Sequence, residues 1–279
     1  MPQTSTIPLH TARLGAALVL GLSACVAPAT GVVDHSTVEA HAQRPFLGRD
    51  THTVDDSFFE LEVGVANDPG EIRDLPLTIK YGLGPRSEFF VGLVPYHKVD
   101  KNELAPDGTG FGDTLVGLAH RFRDHDKRSP AYAFQVATKL PTARSSKGLG
   151  TGEIDFFGAI MAEQVYYGTT VAGSYQFGVL GETDGTGFDH EHILSLQGRR
   201  PVKPQVAVFG EMSFVWQPEV DREELSAMGG LSFIVDDFTL FDVGVRIGVS
   251  ADAPDFQLLF GLTRTLGLLA FNEAGAIGR

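Results

Sequence analysis

Asp189-His190-Glu191-His192 is the stretch with the most familiar chemistry. On a strand, residues i and i+2 share a face, so both imidazoles would point one way and Glu191 the other. Two imidazoles could begin a metal site, but the sequence places no third His or Cys beside them. The plainer reading is a polar strand start, and no metal ligand is assigned. His120, with a Ser or Thr from a neighbouring strand, would be the minimum for hydrolysis. No Gly-x-Ser-x-Gly phrase accompanies it, so no catalytic residue is assigned. Gly148-Leu149-Gly150-Thr151-Gly152 looks superficially like a phosphate loop. Such a loop must follow a strand and open a helix, and the residues after Gly152 read as another strand. Asp113 could form a constriction with Arg121 or Lys80, since rings of charge tune passage. Beside Gly110 and Gly112 it reads more simply as a turn or register device.

The larger pattern is a series of ionic side chains at alternate positions of long apolar runs. Glu60, Glu62, Lys80, Glu88, Asp113, Arg121, Gln135, Lys139, Glu211, Asp242 and Arg246 fall on one face, with Gln257 and several glycines. Leu, Val, Ile and aromatic residues fall on the other. An Arg or Lys facing lipid at mid-bilayer costs about 2–4 kcal/mol. The alternation therefore assigns the charged set to a wet lumen and the apolar set to lipid.

The elements that would position these residues are about a dozen runs of roughly 10–13 residues each. Globular strands average about 5–6 residues, whereas a tilted strand needs about 9–11 to cross a bilayer. The runs are Phe58–Asn67, Arg73–Leu83, Ser87–His97, two within Gly108–Thr142, Glu153–Val165, Gly168–Leu180, Asp189–Arg199, Gln205–Trp216, Glu223–Val235, Phe238–Val249 and Asp255–Leu266. Connections alternate in length. Gly84–Arg86, Arg123–Ser129, Tyr166-Tyr167, Arg200–Pro204 and Asp236-Asp237 are mostly short turns, and those between are longer on average. Short periplasmic turns with longer outer loops are the habit of outer-membrane barrels. The fold class expected is all-β: an antiparallel closed transmembrane β-barrel of about 12 strands, with an N-terminal signal peptide and a polar arm. Closure pairs every backbone group without leaving an edge.

Composition sets outer limits. The formal charge of −13 argues against nucleic acid as a partner. One cysteine among 279 residues excludes a disulfide framework and a Cys-rich metal site. That cysteine, Cys25, ends an apolar run, residues 14–24, that follows Arg13. The run has the form of a secretory signal peptide and is too short to span a bilayer as a helix. Leu22-Ser23-Ala24-Cys25 resembles a bacterial lipobox, which makes Cys25 the expected lipidation site. The expected organisation is a signal peptide over 1–24, a periplasmic polar arm over 25–56, an outer-membrane barrel over 57–266 and a tail over 267–279.

Ile79-Lys80-Tyr81-Gly82-Leu83-Gly84-Pro85-Arg86-Ser87-Glu88-Phe89 is one of several short glycine-based phrases. Gly110-Phe111-Gly112-Asp113-Thr114-Leu115, then Lys139-Leu140-Pro141-Thr142 and Gly148–Gly152, continue the series. In order and spacing, over about residues 73–265, they resemble a family of outer-membrane proteins associated with the meta-cleavage pathway of phenol degradation. The resemblance implies a 12-stranded type of barrel and passage of small hydrophobic or aromatic compounds. It carries no catalytic residues to transfer. The sequence departs from the family pattern at Ala143, where a glycine usually follows Leu-Pro-Thr, and in ending without a terminal aromatic residue.

The first functional reading is an outer-membrane barrel acting as a passive channel or transporter for a small-molecule solute, without cofactor or catalysis. The second is a plugged structural or accessory barrel lipoprotein without transport. The third is a lipid-modifying barrel enzyme.

Overall fold

The computed structural model describes residues 40–67, 72–99, 108–182 and 185–267. The expected signal peptide and Cys25 lie outside the described residues. The strands are β1 (Phe58–Asn67), β2 (Ile72–Gly84), β3 (Ser87–Val99), β4 (Gly108–Gly110), β5 (Thr114–Arg123), β6 (Ala131–Leu140) and β7 (Asp155–Tyr166). They continue with β8 (Thr169–Gly181), β9 (Phe188–Lys203), β10 (Val206–Gln217), β11 (Arg222–Asp236), β12 (Thr239–Gly248) and β13 (Phe256–Gly267). Each long strand pairs antiparallel with its sequence neighbours, and β1 pairs with β13 from Phe58↔Gly267 to Asn67↔Leu258. The sheet is therefore a closed barrel of 12 long strands. The short β4 prolongs the line of β5 along the upper part of β3, since His97↔Gly110 and Gly92↔Leu115 keep one register.

Alternation of side chains explains closure. Along β6, Ala131, Ala133, Gln135, Ala137 and Lys139 are buried, while Phe134, Val136 and Leu140 are exposed. Only a strand with lipid on one side and a filled interior on the other satisfies both sets. The outward band includes Leu118, Ile160, Leu194, Leu196, Met212 and Leu262. Aromatic residues border it at both ends, as interfacial girdles do. Phe122 stacks on Tyr132 near the short-turn end, and His192 stacks on Trp216 near the long-loop end.

Arg200–Pro204 does not form the turn expected from its two prolines. Strand β9 continues to Lys203, and Pro204-Gln205 makes the turn. The ladder accommodates Pro201 through an irregularity: Lys203 pairs with Val206 and Pro201 with Ala207, leaving Val202 as the extra residue. A bulge is one of the few places where a strand tolerates proline's missing N–H.

The second correction concerns residues 40–56, expected in a free periplasmic arm. They lie inside the barrel. His41, Gln43, Arg44, Phe46, Arg49, Thr51 and Val54 are all almost wholly buried. At one end the Ala40 N–H donates to Asp237 O at 3.1 Å, and at the other the Ser57 N–H donates to Gly82 O at 3.0 Å. Asp237 lies in the β11–β12 turn and Gly82 near the end of β2, so both ends of the segment sit at the short-turn rim. The segment has no strand periodicity because its backbone donors meet inward side chains, such as Glu60, Glu62, Glu88 and Glu211, rather than a neighbouring strand.

Candidate functional site: the lumen and the segment that fills it

The inward charges are arranged around residues 40–56. Register places Glu60 of β1 opposite both Lys80 of β2 and Thr265 of β13. The Lys80 ammonium pairs with Glu60 at 2.9 Å and also with Glu62. Glu60 accepts the His41 backbone N–H at 2.9 Å and the Thr265 hydroxyl at 3.1 Å, and Glu62 accepts the Gln43 N–H at 2.8 Å. Across the lumen, Glu211 of β10 accepts the N–H groups of Leu47 at 2.8 Å and Gly48 at 2.7 Å. Arg246 of β12 donates to Pro45 O at 3.0 Å and lies 3.4 Å from Glu211. Glu88 of β3 accepts the Val54 N–H at 2.9 Å. Glu60, Glu62, Glu88 and Glu211 thus each take backbone N–H groups of the inserted segment, as buried donors and acceptors require.

Its side chains complete the fit. The Arg49 guanidinium pairs with Glu88 at 2.9 Å, bonds to Gln135 and Gln43, and lies over the Phe90 ring at 4.9 Å from the centroid. Phe46 packs among Ala66, Phe209, Met228 and Leu259. The Arg49 N–H reaches Ser174 Oγ at 3.2 Å. From Glu60 of β1 to Ser174 of β8 and Arg246 of β12, the segment touches opposite walls. It crosses the lumen rather than lining one side.

Two glycines make the approach possible. A Cβ on Gly64 would fall 1.0 Å from the Arg44 guanidinium, and one on Gly48 would fall 1.5 Å from Ser195 Oγ. Gly64→Leu should therefore drive Arg44 off the wall and loosen the segment while leaving the outer surface of β1 unchanged. Limited trypsinolysis of folded protein checks this. Cleavage after Arg49 should be slow in the wild type and several-fold faster in the variant; equal rates would count against the close fit.

Asp113 and Lys139 belong to a different cluster, at the long-loop end. Lys139 Nζ lies 2.6 Å from Asp155, 3.5 Å from Asp113 and 2.8 Å from Thr151 Oγ1. Asp113 accepts the Ala143 N–H at 2.9 Å, and Leu149 packs on Val99 and Ala143. The cluster ties the β6–β7 loop to the inner rim, which is the register role expected of Asp113. Its charge partner is Lys139, not Arg121 or Lys80. Arg121 is half-buried at the opposite rim, where it pairs with Asp124 at 3.0 Å. Gln135 serves Arg49, and Asp242 is wholly buried beside Gly261.

The histidines singled out in the sequence do not converge. His190 bonds to Glu219 at 2.7 Å, and His192 accepts from or donates to the Tyr175 hydroxyl at 2.8 Å within an aromatic cluster. Glu191 is buried and takes a hydrogen bond from Gln217 at 2.7 Å. No group of three or more potential metal ligands occurs among the described residues. His120 is partly exposed on the outer face, 2.9 Å from Ser87 Oγ and against the Phe134 ring. Sequence reasoning missed Glu163 and Ser174 as inward groups serving the segment; Glu163 accepts the Thr51 backbone N–H.

The family described as "Putative MetA-pathway of phenol degradation" matches residues 60–265. The chain belongs to this family. The match takes in all of the barrel from Glu60 to Thr265 and stops short of residues 40–56. Among solved structures, the COG4313 outer membrane channel from Pseudomonas putida F1 is similar at 12% identity. That likeness has a TM-score of 0.56 and covers 84% of this chain and 100% of that one. The NanC porin is similar at 7% identity and TM-score 0.54, over 75% of this chain and 100% of that one. The KdgM porin is similar at 8% identity and TM-score 0.52, over 74% and 98%. These likenesses show the fold, that of an outer-membrane β-barrel. No curated protein matches the chain by sequence.

Proposed function

We propose that this protein is a passive outer-membrane channel for small water-soluble molecules, held closed in the form described by its own residues 40–56. The observation that carries this reading is the chemistry of the inner wall. A barrel serving only as a structural element could fill its interior with apolar side chains. Here Glu60, Glu62, Lys80, Glu88, Glu211, Asp242 and Arg246 are buried on the inner face, and they meet a chain segment through noncovalent, exchangeable bonds. Such a lumen suits water and polar solutes once the segment moves. The hydrophobic or aromatic solutes implied by family resemblance fit this charged lining less well.

The filled lumen supports a second reading, an accessory barrel without transport. Liposome swelling separates the two. Proteoliposomes of the full chain and of a variant lacking 40–56 are challenged with small neutral sugars and amino acids. Swelling by the variant supports a channel; a folded, inserted variant that admits nothing establishes the accessory reading. Catalysis has no part in the proposal, and no carboxylate hydrogen-bonds His120 among the described residues to build a triad from its contact with Ser87.

A further inference from the structure

We infer that the open lumen selects cations, and that the wall groups now holding Arg49 form a binding site for a guanidinium or alkylammonium solute. The inference rests on the channel reading above and deepens it. Around the inserted segment the wall presents Glu60, Glu62, Glu88, Glu163, Glu211 and Asp242. Fewer bases, Lys80, Arg121, Arg199 and Arg246, stand among them. The segment offsets little of this in net charge, since the buried Asp50 accompanies Arg44 and Arg49; it meets the wall carboxylates with those two guanidinium groups and with its backbone N–H groups. When it withdraws, the wall is left with an excess of negative charge, and acidic linings favour cations.

An excess of carboxylates alone would not define a site. Two further observations do. Asp242 has no exposed surface, and neither of its oxygens has a hydrogen-bond partner; Glu62 Oε2 is likewise buried and unpartnered. Both carboxylates lie in the field of the Arg44 guanidinium, which rests over Gly64. Buried anionic oxygens left unbonded are costly, so this part of the wall is built to face a cation.

The second observation is the Arg49 cage. Glu88, Gln135 and the Phe90 ring supply a carboxylate, an amide oxygen and an aromatic face to one guanidinium. That combination suits a planar or alkyl cation. All three groups belong to β3 and β6, so they remain when the segment leaves. Phe90 is held by the tight fit of its ring against Gly117. In the closed form Arg49 occupies the place a solute cation would take.

The test uses the full chain carrying Arg49→Ala, which empties the cage and leaves its wall intact. In planar bilayers under a potassium chloride gradient, the reversal potential should lie on the cation side. Guanidinium chloride at low millimolar concentration should reduce the current, and sodium glutamate should not. Adding Glu88→Gln should weaken the guanidinium effect by about tenfold or more, the loss of one charge-assisted contact. An anion-selective current, or a guanidinium effect unchanged by Glu88→Gln, overturns the inference. If no variant conducts, the cage is read from stability. Guanidinium should raise the temperature at which folded Arg49→Ala converts to the slower gel band, more than sodium chloride does. Protection without conduction keeps the cage and removes the channel; neither effect removes the cage as well.

Discussion

Deleting residues 40–56, so that Glu39 is joined to Ser57, is expected to turn a nearly closed barrel into a conducting one. The rise in single-channel conductance should be about an order of magnitude, because a segment touching opposite walls is removed from a barrel too wide to be filled by its own side chains. The deletion takes away donors that now satisfy Glu60, Glu62, Glu88 and Glu211. Water entering the lumen replaces them, so the ladder from β1 to β13 should still close. Heat-modifiable migration on gels establishes folding before the bilayer measurement. Folded protein with wild-type conductance would show that the closure lies elsewhere, for instance where Leu149 packs on Val99 at the long-loop rim. Gly48→Val in the full chain gives an independent check. It keeps every donor but cannot pass Ser195, so it should produce frequent partial openings.

The barrel was legible because period-two alternation survives in nearly every run. Most Leu, Val and Phe side chains face lipid and the buried Glu and Lys face the interior, with Phe90, Phe209 and Leu259 as apolar exceptions inside. Strand ends agreed with the pattern except where proline misled, at Pro201, whose bulge costs the ladder little. The inserted segment was not legible. Residues 40–56 lie against side chains from opposite walls, so no fixed spacing repeats along them, and their Arg, Gln and His composition resembles a solvated arm. A signal was nevertheless present on the other side of the contact. Inward Glu60, Glu62, Glu88 and Glu211 outnumber the inward bases nearest them, and buried carboxylates require donors. Counting those missing donors would have pointed to an additional chain segment in the lumen. The same requirement separates Asp113, whose Oδ1 accepts the Ala143 N–H and whose Oδ2 faces Lys139 at 3.5 Å, from Asp242, neither of whose oxygens has a hydrogen-bond partner.

Lys80 is where loss of a single group should cost most stability. Its ammonium is wholly buried between Glu60 and Glu62, and cross-strand register fixes that arrangement by placing Lys80 directly opposite Glu60. Lys80→Met preserves the bulk of the side chain but leaves two carboxylates in an occupied, poorly hydrated part of the lumen. Removing one partner of a buried ion pair costs about 3–5 kcal/mol, and urea-induced unfolding in lipid vesicles should show a loss of that size. The triple variant Glu60→Gln, Lys80→Met, Glu62→Gln should recover more than half of it. Its amides keep acceptors for the His41 and Gln43 N–H groups without requiring a counter-ion. If the triple variant were as unstable as the single one, the damage would come from packing around the substituted side chain rather than from uncompensated charge. Recovery would instead mean that the wall tolerates a neutral lining. The charges at Glu60 and Glu62 would then be dispensable for folding, leaving the solute path as the role that needs them.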